Sequence, residues 1–175
     1  MTIEKLLETV PDFAKDIRLN VNNLFTNLTQ SGLTERQFYG IALAVAFSLK
    51  HDALIQAIQF EAGDALDQEL IQASKLAAIL MAMTNIYYRA THLAEDSELA
   101  RMPANLRMNA MNNPGVPKID FELFALAVSA LNGCGMCISS HVKQMLSHDV
   151  GRLGIQSALR ITATLNAMVL AMSLQ

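Results

Sequence analysis

Two apolar segments that recur in order leave this chain few ways to fold. Ala42-Leu-Ala-Val45 returns as Ala125-Leu-Ala-Val128, and each copy lies in a stretch with almost no polar side chain. In both copies a second helical stretch follows, and then a long third one containing Ile71-Gln72 or Ile155-Gln156. Ala77-Ala-Ile-Leu-Met-Ala-Met83 then matches Thr162-Ala-Thr-Leu-Asn-Ala-Met168, so the offset drifts only from 83 to 85 residues. Three matches in one order point to a duplicated helical unit. A helix that is apolar all round must be surrounded by others, so Gly40–Leu49 is expected at the centre.

Helical period governs the remainder. Residues 2–10 predict a short amphipathic helix with Ile3, Leu6, Leu7 and Val10 on one face. Past a boundary at Pro11, Phe13, Ile17, Val21, Leu24, Phe25 and Leu28 continue the stripe to about residue 29, and Ser31-Gly32 closes it. Thr34 is the expected N-cap of the central helix, with Glu35 beside the positive end of its dipole. Further helices are expected over about 51–62 and 67–92. Pro103, Asn112-Asn113-Pro114-Gly115 and Pro117 make 97–120 a loop with at most one short helix. Helix resumes from Phe121 to about Leu131, breaks at Asn132-Gly133, and restarts at Cys134 or just before, running to about 147. A turn over Asp149–Gly151 leads to a last helix, about 152–173. Nothing reads as a strand. The expectation is one all-α domain over 1–175, with N-terminal helices at 1–30, repeat one at about 34–92, a loop at about 97–120, and repeat two at about 120–173.

Composition narrows the function classes. Hydrophobic residues make up 52% of the 175, with ten Met, no Trp and only 17% charged. That is apolar for a soluble monomer and suits a helical protein that hides surface in a homo-oligomer. A net charge of −3 gives no basic footprint for nucleic acid. No uninterrupted apolar run reaches the roughly 18–20 residues that span a bilayer, and Met-Thr-Ile-Glu-Lys-Leu-Leu-Glu lacks the apolar centre of a signal peptide. A cytoplasmic location without a membrane is therefore expected. In that reducing setting two cysteines serve catalysis or metal more often than stapling.

Both cysteines lie in Asn132-Gly-Cys134-Gly-Met-Cys137-Ile-Ser-Ser-His141, and only the second repeat carries them: in register, Cys134 faces His51 and Cys137 faces Leu54. Three readings compete. Two buried small hydrophobes is the plainest. A zinc site would need Cys134, Cys137, His141 and a fourth ligand, conceivably Glu122, although thiolate-rich sites usually draw on a second Cys or His pair. The redox reading places Cys134 at a helix N-terminus, where dipole and free amides favour the thiolate of an exposed sulfur. Cys137 then lies one turn on, within disulfide reach. His141, at i+4 from Cys137, shares its helical face and would serve as its base. Glu122, alone on an apolar stretch, is either a solvated first-turn carboxylate or folds back to orient His141. His51, His92 and His148 lack a partner at useful spacing. Tyr87 and Tyr88 read as core or interface, and the methionines as adaptable packing.

Glu122-x11-Cys134-x-x-Cys137-x3-His141 on a duplicated helical chain of this length resembles the alkyl hydroperoxidase D family, within the carboxymuconolactone-decarboxylase-like superfamily. The likeness extends over essentially the whole chain, including the Asn-Asn-Pro-Gly loop. It implies an antioxidant thiol enzyme that reduces organic hydroperoxides, takes electrons from lipoylated dehydrogenase subunits and passes them to a peroxiredoxin. It further implies homotrimers or multiples of them, with no bound cofactor or metal. On this resemblance Cys137 attacks peroxide and becomes the sulfenic acid, Cys134 is the resolving and exchange cysteine, and Glu122 with His141 forms a proton relay. One position departs: the family pattern has a histidine immediately before the second cysteine, where this chain has Met136. Three other readings remain: a disulfide reductase or electron adaptor with little direct peroxidase activity, a non-redox decarboxylase-like enzyme, and a purely structural oligomer.

Overall fold

A computed structural model describes residues 1–148 and 150–174. Its α-helices are α1 (Ile3–Leu7), α2 (Lys15–Thr26), α3 (Glu35–Leu49), α4 (Asp52–Ala62), α5 (Gln68–Leu93), α6 (Ser97–Arg101), α7 (Lys118–Leu131), α8 (Gly135–Ser147) and α9 (Arg152–Ser173). No strand occurs among the described residues, so the fold class is all-α, as expected. The turn expected over Asp149–Gly151 falls partly on Asp149, which lies outside the described residues.

The bundle is built on the crossing of α3 and α7, flanked by α5 on one side and α9 on the other. Ala42, Leu43, Ala44 and Val45 and their counterparts Ala125, Leu126, Ala127 and Val128 are all sealed from solvent. Small side chains let the two helices approach closely. At Gly40 a Cβ would collide with the Phe124 ring of α7, so glycine is required there despite its cost in a helix interior. Gln37 Nε2 donates to Asp120 Oδ1 at 2.7 Å, tying the start of α3 to the start of α7. Thr34 caps α3 in a full capping box with Gln37, as its position predicts.

Two expectations fail at the N-terminus. The first helix covers Ile3–Leu7 rather than 2–10, because Val10 precedes Pro11 and residues before proline avoid the α conformation. Phe13 belongs to a short 3-10 turn over Asp12–Ala14 and is 73% exposed. Its stripe therefore begins at Ile17, which packs on the core with Phe25 and Leu28 around fully buried Val21. By length and hydropathy α5 and α9 could span a bilayer, but half of each such window is buried inside the bundle. They are the core helices that pack on α3 and α7.

The two helix triplets share a local device. At the end of α7, Gly133 is left-handed (φ 67), Gly133 N–H donates to the Ala130 carbonyl, and Cys134 N–H donates to that of Ser129. At the end of α3, Lys50 is left-handed (φ 55), its N–H donates to the Phe47 carbonyl, and His51 N–H donates to that of Ala46. Both are Schellman turns, which satisfy the last carbonyls and reverse the chain at once. The next helix is then capped by the residue after the turn. His51 Nδ1 accepts from Leu54 N–H at 3.1 Å, and Cys134 Sγ accepts from Cys137 N–H at 3.3 Å.

Candidate active site

The turn between α7 and α8 sets where the cysteines lie, and α5 holds it in place. Asn132 Nδ2 donates to Asn85 Oδ1 at 3.0 Å, and Asn85 Nδ2 donates to Ser129 Oγ at 3.0 Å. The Arg89 guanidinium donates to the Asn132 carbonyl. Asn85 is fully buried, and a buried amide with both ends satisfied fixes a geometry more firmly than apolar contact does.

Cys134, the N-cap of α8, and Cys137, in its first turn, are joined by a disulfide with S–S 2.09 Å and Cα–Cα 5.3 Å. Burial of the pair departs from expectation. Cys134, expected to be the exposed sulfur, is completely buried, whereas Cys137 is 9% exposed and reaches a cavity. The N-cap position points the Cys134 side chain back over the helix end, beneath the turn that α5 clamps.

Glu122 folds back onto His141. Its Oε2 lies 2.6 Å from His141 Nδ1, and both residues are 8% exposed. An ionised carboxylate only accepts, so Nδ1 carries the proton of this contact. Nε2 is thereby left without a protein partner among the described residues. On α8, Cys137, His141 and Met145 form the buried face at i, i+4 and i+8. Among the described residues no group of three or more His, Cys, Asp or Glu side chains is placed to hold a metal ion.

Cys137 and His141 open into a cavity of about 280 Å³, whose other walls include Met81, Thr84, Asn85, Tyr88, Met108, Met111, Met136 and Ser140. Several of these have no signal in the sequence. Met108 and Met111 arrive on the irregular 102–117 segment, which no motif locates. Tyr88, read as core or interface, is a half-buried wall of the site. Asn85 carried one signal, an amide within the apolar second half of α5. The other histidines stay apart: His51 caps α4, His148 follows the end of α8, and both His92 and His148 are exposed.

Comparison with known proteins gives this geometry a context. The carboxymuconolactone decarboxylase family pattern matches residues 97–174. An alkyl hydroperoxide reductase AhpD of Coxiella burnetii is 47% identical over 161 residues, covering 92% of this chain and 91% of that protein. Another, from Rhodopseudomonas palustris, is 47% identical over 171 residues, covering 98% and 93%. The chain belongs to the AhpD family. A third AhpD, from Hyphomonas neptunium, is likewise 47% identical, over 95% of this chain and 91% of its own. In this AhpD-family chain the disulfide, the buried carboxylate–imidazole pair and the cavity all converge on Cys137.

Proposed function

We propose that the protein is a thiol-dependent alkyl hydroperoxide reductase cycling through the Cys134–Cys137 disulfide. The observation that carries this reading is the Glu122–His141 contact at 2.6 Å, on the wall of an apolar cavity that only one of the two sulfurs reaches. In the reduced state His141 Nε2 takes the Cys137 thiol proton, and Glu122 stabilises the imidazolium that results. The thiolate attacks the terminal peroxide oxygen: an S–O bond forms, the O–O bond breaks, and His141 returns the proton to the departing alkoxide. Cys134 then attacks the sulfenic sulfur and expels water, closing the disulfide.

Reopening needs a dithiol, and the resemblance supplies the class, protein-bound dihydrolipoamide. The same resemblance implies exchange at Cys134, but the burial of that sulfur favours attack at Cys137 instead. Cys134 would then leave as a thiolate at the start of α8, accepting the Cys137 N–H and facing the positive end of the dipole. Passage of electrons to a peroxiredoxin, a trimeric assembly and a cytoplasmic location complete the proposal.

The test is mass spectrometry of the reduced protein after stoichiometric cumene hydroperoxide. A loss of two hydrogens is expected in the wild type, and Cys137→Ser is expected to abolish turnover. Full peroxidase activity in Cys137→Ser would sink the mechanism. Met136 favours one second reading, an electron adaptor that exchanges disulfides with partner proteins, because a thioether moves no protons. A hydroperoxide consumption rate far below the rate of reduction by a lipoylated domain would select it.

A further inference from the structure

Four thioethers line the cavity that Cys137 and His141 open into: Met81, Met108, Met111 and Met136. Met136 is the neighbour of Cys137 in the chain and is 41% exposed, while Met81 is almost sealed. In the structure Cys137 is held in a disulfide and has no thiolate to offer. Until a reductant arrives, a hydroperoxide drawn into this apolar space meets methionine sulfur, which peroxides oxidise to the sulfoxide.

We propose that Met136 is a second peroxide-reactive sulfur of the site, converted to methionine sulfoxide by organic hydroperoxides when the Cys134–Cys137 pair is oxidised. The inference rests on the reading that the cavity admits such hydroperoxides. A lone pair of the thioether attacks the terminal peroxide oxygen, forming the S–O bond as the O–O bond breaks. Sulfur loses two electrons and the peroxide leaves as the alcohol. The proton of the attacked hydroperoxide ends on the alkoxide, relayed through His141 Nε2, so no outside reductant is consumed. The sulfoxide replaces an apolar wall beside Cys137 with a polar, chiral group. It weakens the hold on apolar hydroperoxides until a methionine sulfoxide reductase restores the thioether. Met136 would thus act as a brake that engages when peroxide outruns reductant.

The experiment uses the full chain in its disulfide form, treated with cumene hydroperoxide or with hydrogen peroxide, and peptide mapping for the gain of one oxygen at each methionine. Met102 is the internal reference, being 62% exposed and outside this cavity; it shares with Met136 only the neighbouring cavity, which His141 does not line. With cumene hydroperoxide, Met136 is expected to gain oxygen severalfold faster than Met102. With hydrogen peroxide, which the apolar walls do not concentrate, the order is expected to follow exposure. His141→Gln should slow Met136 and leave Met102 unchanged. Met136 trailing Met102 with cumene hydroperoxide, or an unaltered Met136 rate in His141→Gln, would overturn the proposal. The two readings fail separately: if the reduced protein forms its disulfide with cumene hydroperoxide but Met136 is not favoured, only this inference falls. If no disulfide forms, the peroxidase reading falls.

Discussion

Burying a carboxylate without a partner costs several kcal/mol, and Glu122 escapes that cost through His141. The pairing also sets the chemistry, since a carboxylate on Nδ1 holds the ring in place and stabilises its charged form. Glu122→Gln keeps the shape and a hydrogen bond but removes the charge. Peroxidase kcat/KM is expected to fall by about 10²-fold in steady-state assays, the low end for losing general acid–base help. The urea midpoint should move little, because no buried charge is left unpaired. These two side chains were legible because an Asn-Gly break folds one helix back on the next, and Glu122, twelve residues before Cys134, returns to the level of the imidazole. Burial of Cys134 was not legible. Spacing places a residue at a helix start, but only the packing of α5 over the turn decides whether its sulfur meets solvent.

Between elements, Lys50 holds a left-handed backbone where the equivalent turn has Gly133. Only glycine visits that region without a steric cost. Lys50→Gly is expected to stabilise the fold by about 0.5–1 kcal/mol, the Cβ penalty outweighing the added freedom of the unfolded chain. Chemical denaturation at neutral pH checks it. At the start of α5, Asp67 caps the helix through Leu70 N–H at 2.7 Å and meets Arg36 at 2.7 Å. The Arg36 hydrogen bond, then that of the Leu70 amide, holds its carboxyl below the ordinary 3.8. A depressed carboxyl binds protons less readily in the folded state, so its contribution is present above about pH 4 and fades as pH falls through the folded value. Asp67→Asn preserves a cap and loses the ion pair. The urea midpoints of the two proteins should therefore differ near neutrality and converge in acid, whereas a constant gap would contradict the assignment. Helix positions were legible because caps and period are local. The Phe13 turn was not, since Pro11 redirects the chain before the stripe can continue.

At the scale of the molecule, α5 turns Ile79, Ile86 and Leu93 outward at seven-residue spacing, each more than 60% exposed. Three large apolar side chains on one exposed line fit a surface covered by a second copy of the chain. Ile86→Lys is expected to lower the mass measured by size exclusion with light scattering to that of the single chain, with helical circular dichroism retained. An unchanged mass would show that the copies meet elsewhere or not at all. The cavity was the least legible feature at this scale. Its walls come from α5, α8 and the irregular 102–117 segment, which are far apart in the chain and meet only in the packed fold.

The shared cap geometry of His51 and Cys134 has a practical use. Since one imidazole and one sulfur receive the same backbone amide on matching turns, His51→Cys with Leu54→Cys would graft a second dithiol onto the other half of the molecule. In that register Tyr39 occupies the place of Glu122 and Ile58 that of His141. The graft would reproduce the sulfur spacing without the carboxylate–imidazole pair that faces Cys137. Within a single polypeptide, the chain thus offers a matched blank against which the worth of a proton-handling pair can be weighed.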